Sequence, residues 1–344
     1  MEQANLRPLP KDDLSHVLAA TQELWLKHND ARIFLTGGTG FFGKWLQETF
    51  AFAKRELSLP ANLVVLTRDP SRAAREMAHR SDASIEYVAG DVRDFKDPNG
   101  SFSHVIHAAT PVSGLWDQSQ ALEVLETNFH GTKRVLEFAA HQRNARFLLV
   151  SSGAVYGPQP MERVPETYFG GPDSASLKSA YAEGKRAAET LTNLYSISHR
   201  LDVSIARCFA FIGPHLPLDA GYAAGQFLAR TLKGESIEIS GTGTDLRSYM
   251  HAADLSVWIW TILFSGERNS LFNVGSADST SIADLAEKIA QLGGSEVKIQ
   301  GKAVGNPSRY VPDVSKAERE LGLKVRIGLD DGLKRTFDWL KTDA

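Results

Sequence analysis

From residue 32 onward, short runs of consecutive apolar residues alternate with longer segments whose apolar residues recur every three or four positions. The first pattern marks strands buried on both faces; the second marks amphipathic helices. Strands are expected at 32–36, 62–66, 85–88, 104–107, 146–150 and 203–208. Helices are expected at 43–54, 71–79, 118–141 and 179–195. Short apolar strands separated by such helices imply parallel strands with helical crossovers. The fold class is therefore α/β, a Rossmann-type doubly wound parallel sheet.

The alternation loosens after residue 213, where Gly213-Pro214-His215-Leu216-Pro217 is a turn-rich break. Helical segments at 222–233, 252–264 and 281–292 and strand-like pieces at 237–239 and 271–274 suggest a smaller C-terminal α/β lobe. Such a lobe would close over the crevice beyond the strand ends, where open sheets bind ligands. Ahead of the first strand, Leu14, Val17, Leu18, Leu24 and Trp25 have roughly helical spacing. The expected organisation is a helical extension at 1–30, a dinucleotide-binding domain at 31–213 and mainly a substrate-binding lobe at 214–344.

Composition changes this picture little. The 344 residues are 42% apolar and 23% charged, with 38 basic and 41 acidic side chains and a net charge of -3. That balance gives no reason to expect nucleic-acid or membrane partners. The N-terminus has no basic-then-apolar segment and no apolar run is long enough to span a bilayer, so a cytoplasmic location is expected. The single cysteine, Cys208, cannot form an internal disulfide, and its flanks read as a buried strand. No metal site is expected.

The chemistry lies in two motifs. Gly37, Gly40 and Gly43 stand between a strand and a helix, with Phe41 and Phe42 opening the helix. In that context glycines permit a tight turn, close approach of a pyrophosphate, and close helix–sheet packing, while free amides at the helix start favour phosphate. Downstream, Tyr181 and Lys185 are four residues apart and share one helix face. A neighbouring ammonium favours the phenolate, so a depressed tyrosine pKa is expected. Such a tyrosine can exchange a proton with a sugar or alcohol hydroxyl while a nicotinamide ring exchanges the hydride.

Other positions refine the cofactor. Thr67 and Arg68 close the second strand where an acidic residue would meet the ribose of NAD; Arg68 and Arg72 instead suit the extra phosphate of NADP. Asp91, followed by Val92, is placed to accept from an adenine amine. Ala108 and Ala109 let a dinucleotide lie against the backbone. Asn128 could brace a loop or the lysine. His215 follows the sixth strand and is expected to face the crevice, where it could meet a sugar hydroxyl or phosphate.

With these residues in place, the chain resembles the extended short-chain dehydrogenase/reductases, and within them the nucleotide-sugar epimerases, dehydratases and reductases. The resemblance rests on Thr-Gly-x-x-Gly-x-x-Gly at 36–43, Gly90-Asp91-Val92, His107-Ala108-Ala109, the serine-rich 151–157, Tyr181-x-x-x-Lys185, 207–214, Arg247-Ser248-Tyr249 and 309–313. It implies that Ser152 holds the substrate oxygen beside Tyr181, the acid/base, and that Lys185 bonds the nicotinamide ribose. It also implies that Arg247 and Arg309 grip a nucleotide diphosphate. Two departures matter. Sugar dehydratases carry an Asp-Glu pair after the catalytic hydroxyl, and related decarboxylases carry the glutamate, where this chain has Gly153 and Ala154. The family's usual asparagine is replaced by Ala210.

The expected function is therefore a nucleotide-sugar epimerase working by transient oxidation of a sugar carbinol. The alternative is an NADPH-dependent reductase of a nucleotide 4-keto sugar. Dehydration, decarboxylation, reduction of a non-sugar ketone and a non-catalytic role are disfavoured. The resemblance also implies a homodimer formed through helices 118–142 and 179–197.

Overall fold

The computed structural model describes residues 7–78, 85–111, 118–301 and 307–341. Helix α1 (Lys11–Lys27) precedes β1 (Arg32–Thr36), followed by α2 (Phe41–Leu57), β2 (Asn62–Thr67), α3 (Pro70–Glu76), β3 (Ile85–Ala89) and β4 (His104–His107). Helices α4 (Ala121–Glu126) and α5 (Thr132–His141) lead to β5 (Arg146–Ser152), and α6 (Ala180–Ser198) leads to β6 (Asp202–Cys208). Then come β7 (Phe211–Ile212), α7 (Ala223–Leu232), β8 (Ile237–Ile239), β9 (Leu246–Ser248), β10 (Met250–His251) and α8 (Ala252–Ser265). The chain closes with β11 (Ser270–Val274), β12 (Ser279–Ser281), α9 (Ile282–Gly293), β13 (Val297–Ile299), β14 (Arg309–Tyr310), α10 (Ser315–Leu321) and α11 (Leu329–Lys341).

Seven strands form one sheet in the order β11-β6-β5-β4-β1-β2-β3, and every pairing is parallel. Strand order reverses between β1 and β4, which places the ligand crevice beyond their carboxyl ends. The expected doubly wound sheet is present. One face buries Phe34, Phe138, Phe147 and Val203. The other buries Leu35, Trp45, Trp258 and Phe272, with α1, α2 and α8 against it.

The boundary at 213 is not clean. Strand-like 271–274, expected in the smaller lobe, is β11 of the main sheet, paired with β6 from Ser270↔Ser204 to Val274↔Cys208. Helix α8 also belongs beneath the sheet. Residues from Ala252 to Phe264 are all buried, as expected of a helix apolar on every side. The smaller lobe comprises α7, α9, α11 and β8 around Phe227, Leu285 and Phe337.

Two helices differ from their expected form. The stretch 118–141 is interrupted by a π-helical turn at Thr127–Gly131. Asn128 explains the widening: its Nδ2 donates to Val124 O at 2.8 Å, competing with the backbone ladder. Helix α3 starts at Pro70, with Asp69 as its cap accepting from Arg72 N at 2.9 Å. Position 79, the expected end of that helix, lies outside the described residues.

The N-terminal helix packs on the domain. Trp25 is 1% exposed and meets Phe50, Trp260 and Phe264 with ring centroids 4.8–5.8 Å apart. Polar ties reinforce it: His16 bonds Asp254 at 2.8 Å, Arg335 bonds Asp13 at 2.7 Å, and Leu9 N donates to Glu48 at 2.9 Å.

Candidate active site

Helix α6 lies along β5 and presents Tyr181, Lys185 and Glu189, spaced by four, on one face. Three consecutive β5 residues receive them. Lys185 Nζ donates to Val150 O at 2.9 Å. Ser151 Oγ donates to Glu189 Oε1 at 2.6 Å. The Tyr181 hydroxyl lies near Ser152, which draws its pKa down. Ser152 Oγ also accepts from Ala154 N at 3.1 Å and lies 3.3 Å from the Tyr310 hydroxyl. The structure thus brings Ser152, Tyr181 and Lys185 together.

The electrostatics differ from expectation. Burial pushes Tyr181 up to about 12, only partly opposed by nearby Ser152, so its pKa is raised rather than depressed. Lys185 is lowered to about 8 by the same desolvation, with Cys208 and Glu189 acting in the opposite sense. The reason for the discrepancy is geometric. The ammonium is bonded to Val150 O and stands 6.0 Å from the Tyr181 ring centroid, while both groups have lost water. At neutral pH Tyr181 holds its proton and Lys185 is charged.

Gly153 has no room for a side chain. A Cβ there would lie 2.7–2.9 Å from three atoms of the Phe209 ring, which itself packs on Tyr310 at 4.7 Å. Ser152 is therefore followed by a steric requirement for glycine and then by Ala154, neither of which carries a proton. Tyr310, absent from the expected site, is pushed up by burial and faces Ser152, Tyr181 and Tyr222. Its signal was its place beside Arg309 in a motif, which says nothing about where its hydroxyl lands. Glu189 was also missed, although its spacing from Lys185 marked it.

The crevice fits a dinucleotide. Gly37 has φ +76, and a Cβ on it would sit 2.6 Å from the Ala108 backbone, so β1 and β4 approach closely there. A Cβ on Gly43 would sit 2.3 Å from Gly37 O and Gly38. The amides of Phe41, Phe42 and Gly43 precede the first helical bond of α2, Lys44 N to Gly40 O, and so remain available to phosphate oxygens. Ala109 N donates to Thr36 Oγ1 at 3.3 Å, shaping the end of β4. Asn128 is buried, and its Oδ1 accepts from Thr110 at 3.1 Å, bracing the loop after β4.

Just after β2, Arg68 is exposed, near Asp91. Asp69 is committed to capping α3, and Arg72 Nε bonds Glu76 at 2.7 Å. The Asp91 carboxylate takes both arms of Arg93, which hold it below the usual carboxylate range. Val92 packs against Gly131 of the π-helical turn.

Later in the chain, β9 and β14 pair in parallel with Tyr310↔Arg247, so Arg247 and Arg309 lie on adjacent strands of one small sheet. Arg247 bonds the Ser308 hydroxyl at 3.1 Å and carbonyl at 3.2 Å. His215 does not face the crevice as expected. Its side chain is 1% exposed, 4.8 Å from the Trp339 ring and 3.6 Å from Glu48. The left-handed backbone at His215, φ 67, turns it inward beneath α2. Ala210 precedes β7 and packs against the small-lobe core.

The model of the NAD dependent epimerase/dehydratase family matches residues 33–275, the span that holds the glycine turn, Ser152, Tyr181 and Lys185. The chain belongs to this family. Among curated relatives of this epimerase/dehydratase family, UDP-glucuronic acid decarboxylase 6 of Arabidopsis thaliana is 29% identical over 310 residues, covering 89% of this chain and 87% of that protein. UDP-glucuronic acid decarboxylase 1 of Xenopus tropicalis is 28% identical over 315 residues, covering 91% and 72%. Among solved structures, DesIV, the dTDP-glucose 4,6-dehydratase of Streptomyces venezuelae with NAD and TYD bound, superposes with a TM-score of 0.79 at 26% identity, covering 91% of this chain and 97% of that one. MoeE5 in complex with UDP-glucose and NAD gives 0.75 at 26%, covering 91% and 99%. The protein is thus an enzyme of the NAD-dependent sugar-nucleotide epimerase/dehydratase family. Among the described residues no helix is long and apolar enough to cross a membrane.

Proposed function

We propose that this enzyme is a nucleotide-sugar epimerase that transiently oxidises a sugar carbinol and returns the hydride to the opposite face. The observation that carries the reading is Gly153 held against the Phe209 ring and followed by Ala154. Proton transfer beside Ser152 is then left to hydroxyl groups, which suit redox chemistry at a carbinol better than elimination of water or loss of a carboxylate. A nicotinamide dinucleotide, when bound, supplies hydride exchange. Tyr181, which holds its proton at neutral pH, must first give that proton up; it then takes the proton of the reacting hydroxyl and returns it as the hydride comes back. Ser152 orients the oxygen, and Lys185 carries positive charge into the crevice. Arg247 and Arg309 suit a diphosphate, whose oxygens match forked guanidinium groups. The UDP-glucose and NAD of MoeE5 and the NAD of DesIV support this ligand class.

Reduction of a nucleotide 4-keto sugar is the second reading, favoured by two observations. Asp69 is spent on the α3 cap, which leaves exposed Arg68 at the end of β2 to meet the extra phosphate of NADP. Tyr181, pushed up to about 12, keeps its proton at neutral pH and is ready to give it to a ketone oxygen. We also propose a homodimer through the helical stretch 118–142 and α6, where Leu122 on α4, Phe129 in the π-helical turn, and Leu194 and Ile197 on α6 are exposed.

The test is to incubate the enzyme with NAD, NADP or NADPH and a panel of UDP- and dTDP-hexoses, their 4-keto forms and UDP-hexuronic acids, following the sugar by proton NMR. Appearance of an epimer without net change in the cofactor supports epimerisation. Stoichiometric oxidation of NADPH by a 4-keto sugar, with no epimer formed, replaces it with the reductase. Release of water or carbon dioxide from the sugar overturns both.

A further inference from the structure

A buried polar chain lies behind the reacting groups. Arg207 on β6 grips Glu189 through Nε at 3.0 Å and Nη2 at 2.6 Å. Its guanidinium also lies 4.6 Å from the Tyr156 ring centroid. Tyr156 donates to Asn273 Oδ1 at 2.8 Å, and Asn273 Nδ2 donates to Val164 O and Asp313 O at 2.8 and 3.0 Å. Asp313 ends the stretch that carries Arg309 and Tyr310. Glu189 is the junction of this chain with the active site, because Ser151, which donates to it, immediately precedes Ser152.

We propose that Glu189, anchored by Arg207, is a positioning residue that sets the register of α6 on β5 and so fixes Tyr181 and Lys185 against Ser152. This rests on the proposed function only in taking Ser152, Tyr181 and Lys185 as the reacting centre. Besides the apolar packing of Ala188 on the sheet and the Glu189 contact, the polar ties between this helix face and the strand end are the Lys185 bond to Val150 O and the approach of Tyr181 to Ser152. Both are made by groups that must also serve the reaction. Glu189 touches no reacting atom and carries the alignment in their place. A misplacement of about 1 Å from a distant change can cost on the order of a hundredfold in rate.

The carboxylate has a second effect that a purely structural contact lacks. The titratable groups around Lys185 are Tyr181 and Glu189 on α6, Cys208 on β6 and His107 on β4. Burial pushes Cys208 up to about 12 and Tyr181 up to about 12, and lowers His107 to about 3, so these three are neutral near pH 7. Glu189 raises the Lys185 pKa against burial. Removing its charge moves loss of the Lys185 proton to lower pH.

Glu189→Gln alone strands the Arg207 charge and could unfold the protein. The informative variant is the double change Glu189→Gln with Arg207→Met, which removes both charges and keeps volume; such paired replacements are often neutral for stability. Ser151→Ala, which cuts the link and leaves the ion pair intact, is the companion. Three quantities are measured on the full chain: Tm, the pH dependence of NADPH binding followed by its fluorescence, and kcat and KM with whichever nucleotide sugar the wild type uses. The double variant is expected to keep its Tm within a few degrees, to lose at least about tenfold in kcat with little change in KM, and to move the alkaline limits of binding and turnover to lower pH. Ser151→Ala is expected to lower kcat with the alkaline limits unmoved. Wild-type kcat and unmoved alkaline limits in the folded double variant overturn the proposal. If the wild type turns over no nucleotide sugar, the proposed function fails, and the shifted pH limit of NADPH binding still decides the role of Glu189.

Discussion

Replacing Gly153 by alanine adds one methyl group at a crowded point beside Ser152. The new Cβ lands 2.7, 2.8 and 2.9 Å from Cζ, Cε1 and Cε2 of Phe209. Carbon atoms reach favourable contact at about 3.5 Å, so the ring must retreat by about 0.8 Å. Phe209 is buried against Tyr310 on one side, at 4.7 Å, and near Tyr156 on another, at 6.2 Å, so its retreat is resisted on both. Overpacking of this kind costs about 1–3 kcal/mol. Stiffening the unfolded chain returns about 0.4–1 kcal/mol, because Gly153 is not in the left-handed region. The net expectation is a destabilisation between about 0 and 2.6 kcal/mol, centred on about 1.3, and a Tm lower by a few degrees. Displacement of Tyr310 from Ser152 should lower kcat as well. Thermal melts and turnover are measured for Gly153→Ala in the wild-type and Phe209→Leu backgrounds. The smaller leucine should relieve most of the penalty, a coupling that a double-mutant cycle reads directly. A Gly153→Ala protein with wild-type Tm and kcat, or an equal penalty in both backgrounds, refutes the steric argument. The same clash predicts that grafting the dehydratase-type Asp-Glu pair onto 153–154 disables the site.

Trp25→Ala should destabilise by about 3–5 kcal/mol through the cavity it leaves among Phe50, Trp260 and Phe264; denaturant unfolding with an unchanged midpoint would show that the N-terminal helix is dispensable. Arg68→Ala should weaken NADP binding at least about tenfold and leave NAD within a factor of about three, and equal losses for both cofactors in calorimetry would remove Arg68 from the phosphate site. Burial lowers His104 and His107 to about 3 and His251 to about 4, below the ordinary 6.5 that each has when unfolded. The unfolded chain therefore binds more protons than the folded one between those values. Stability is fully present above about 6.5 and falls as pH drops toward 3–4, so melts across that window should show falling Tm. A flat profile would contradict the burial of these rings.

The alternation of apolar strands and amphipathic helices was legible from composition along the chain, because each period reports a local geometry. The glycine turn and the Tyr181–Lys185 spacing were legible for the same reason: both depend on residues within one turn or one crossover. Local rules also explain the α3 cap at Asp69-Pro70.

What tertiary structure decided were relations between distant segments. Strand β11 joins the main sheet instead of the small lobe, since an apolar run does not state its partner. His215 turns in toward Trp339, 124 residues away, instead of facing the crevice. Tyr310 reaches Ser152 across 158 residues, and Arg207 reaches Glu189 from another element. The sign of the Tyr181 shift was also out of reach. Spacing places an ammonium on the same helix face, but desolvation depends on everything packed around it, and here desolvation prevails. The sequence thus determined which groups can react. Long-range packing determined which of them meet, and how far burial moves their protons.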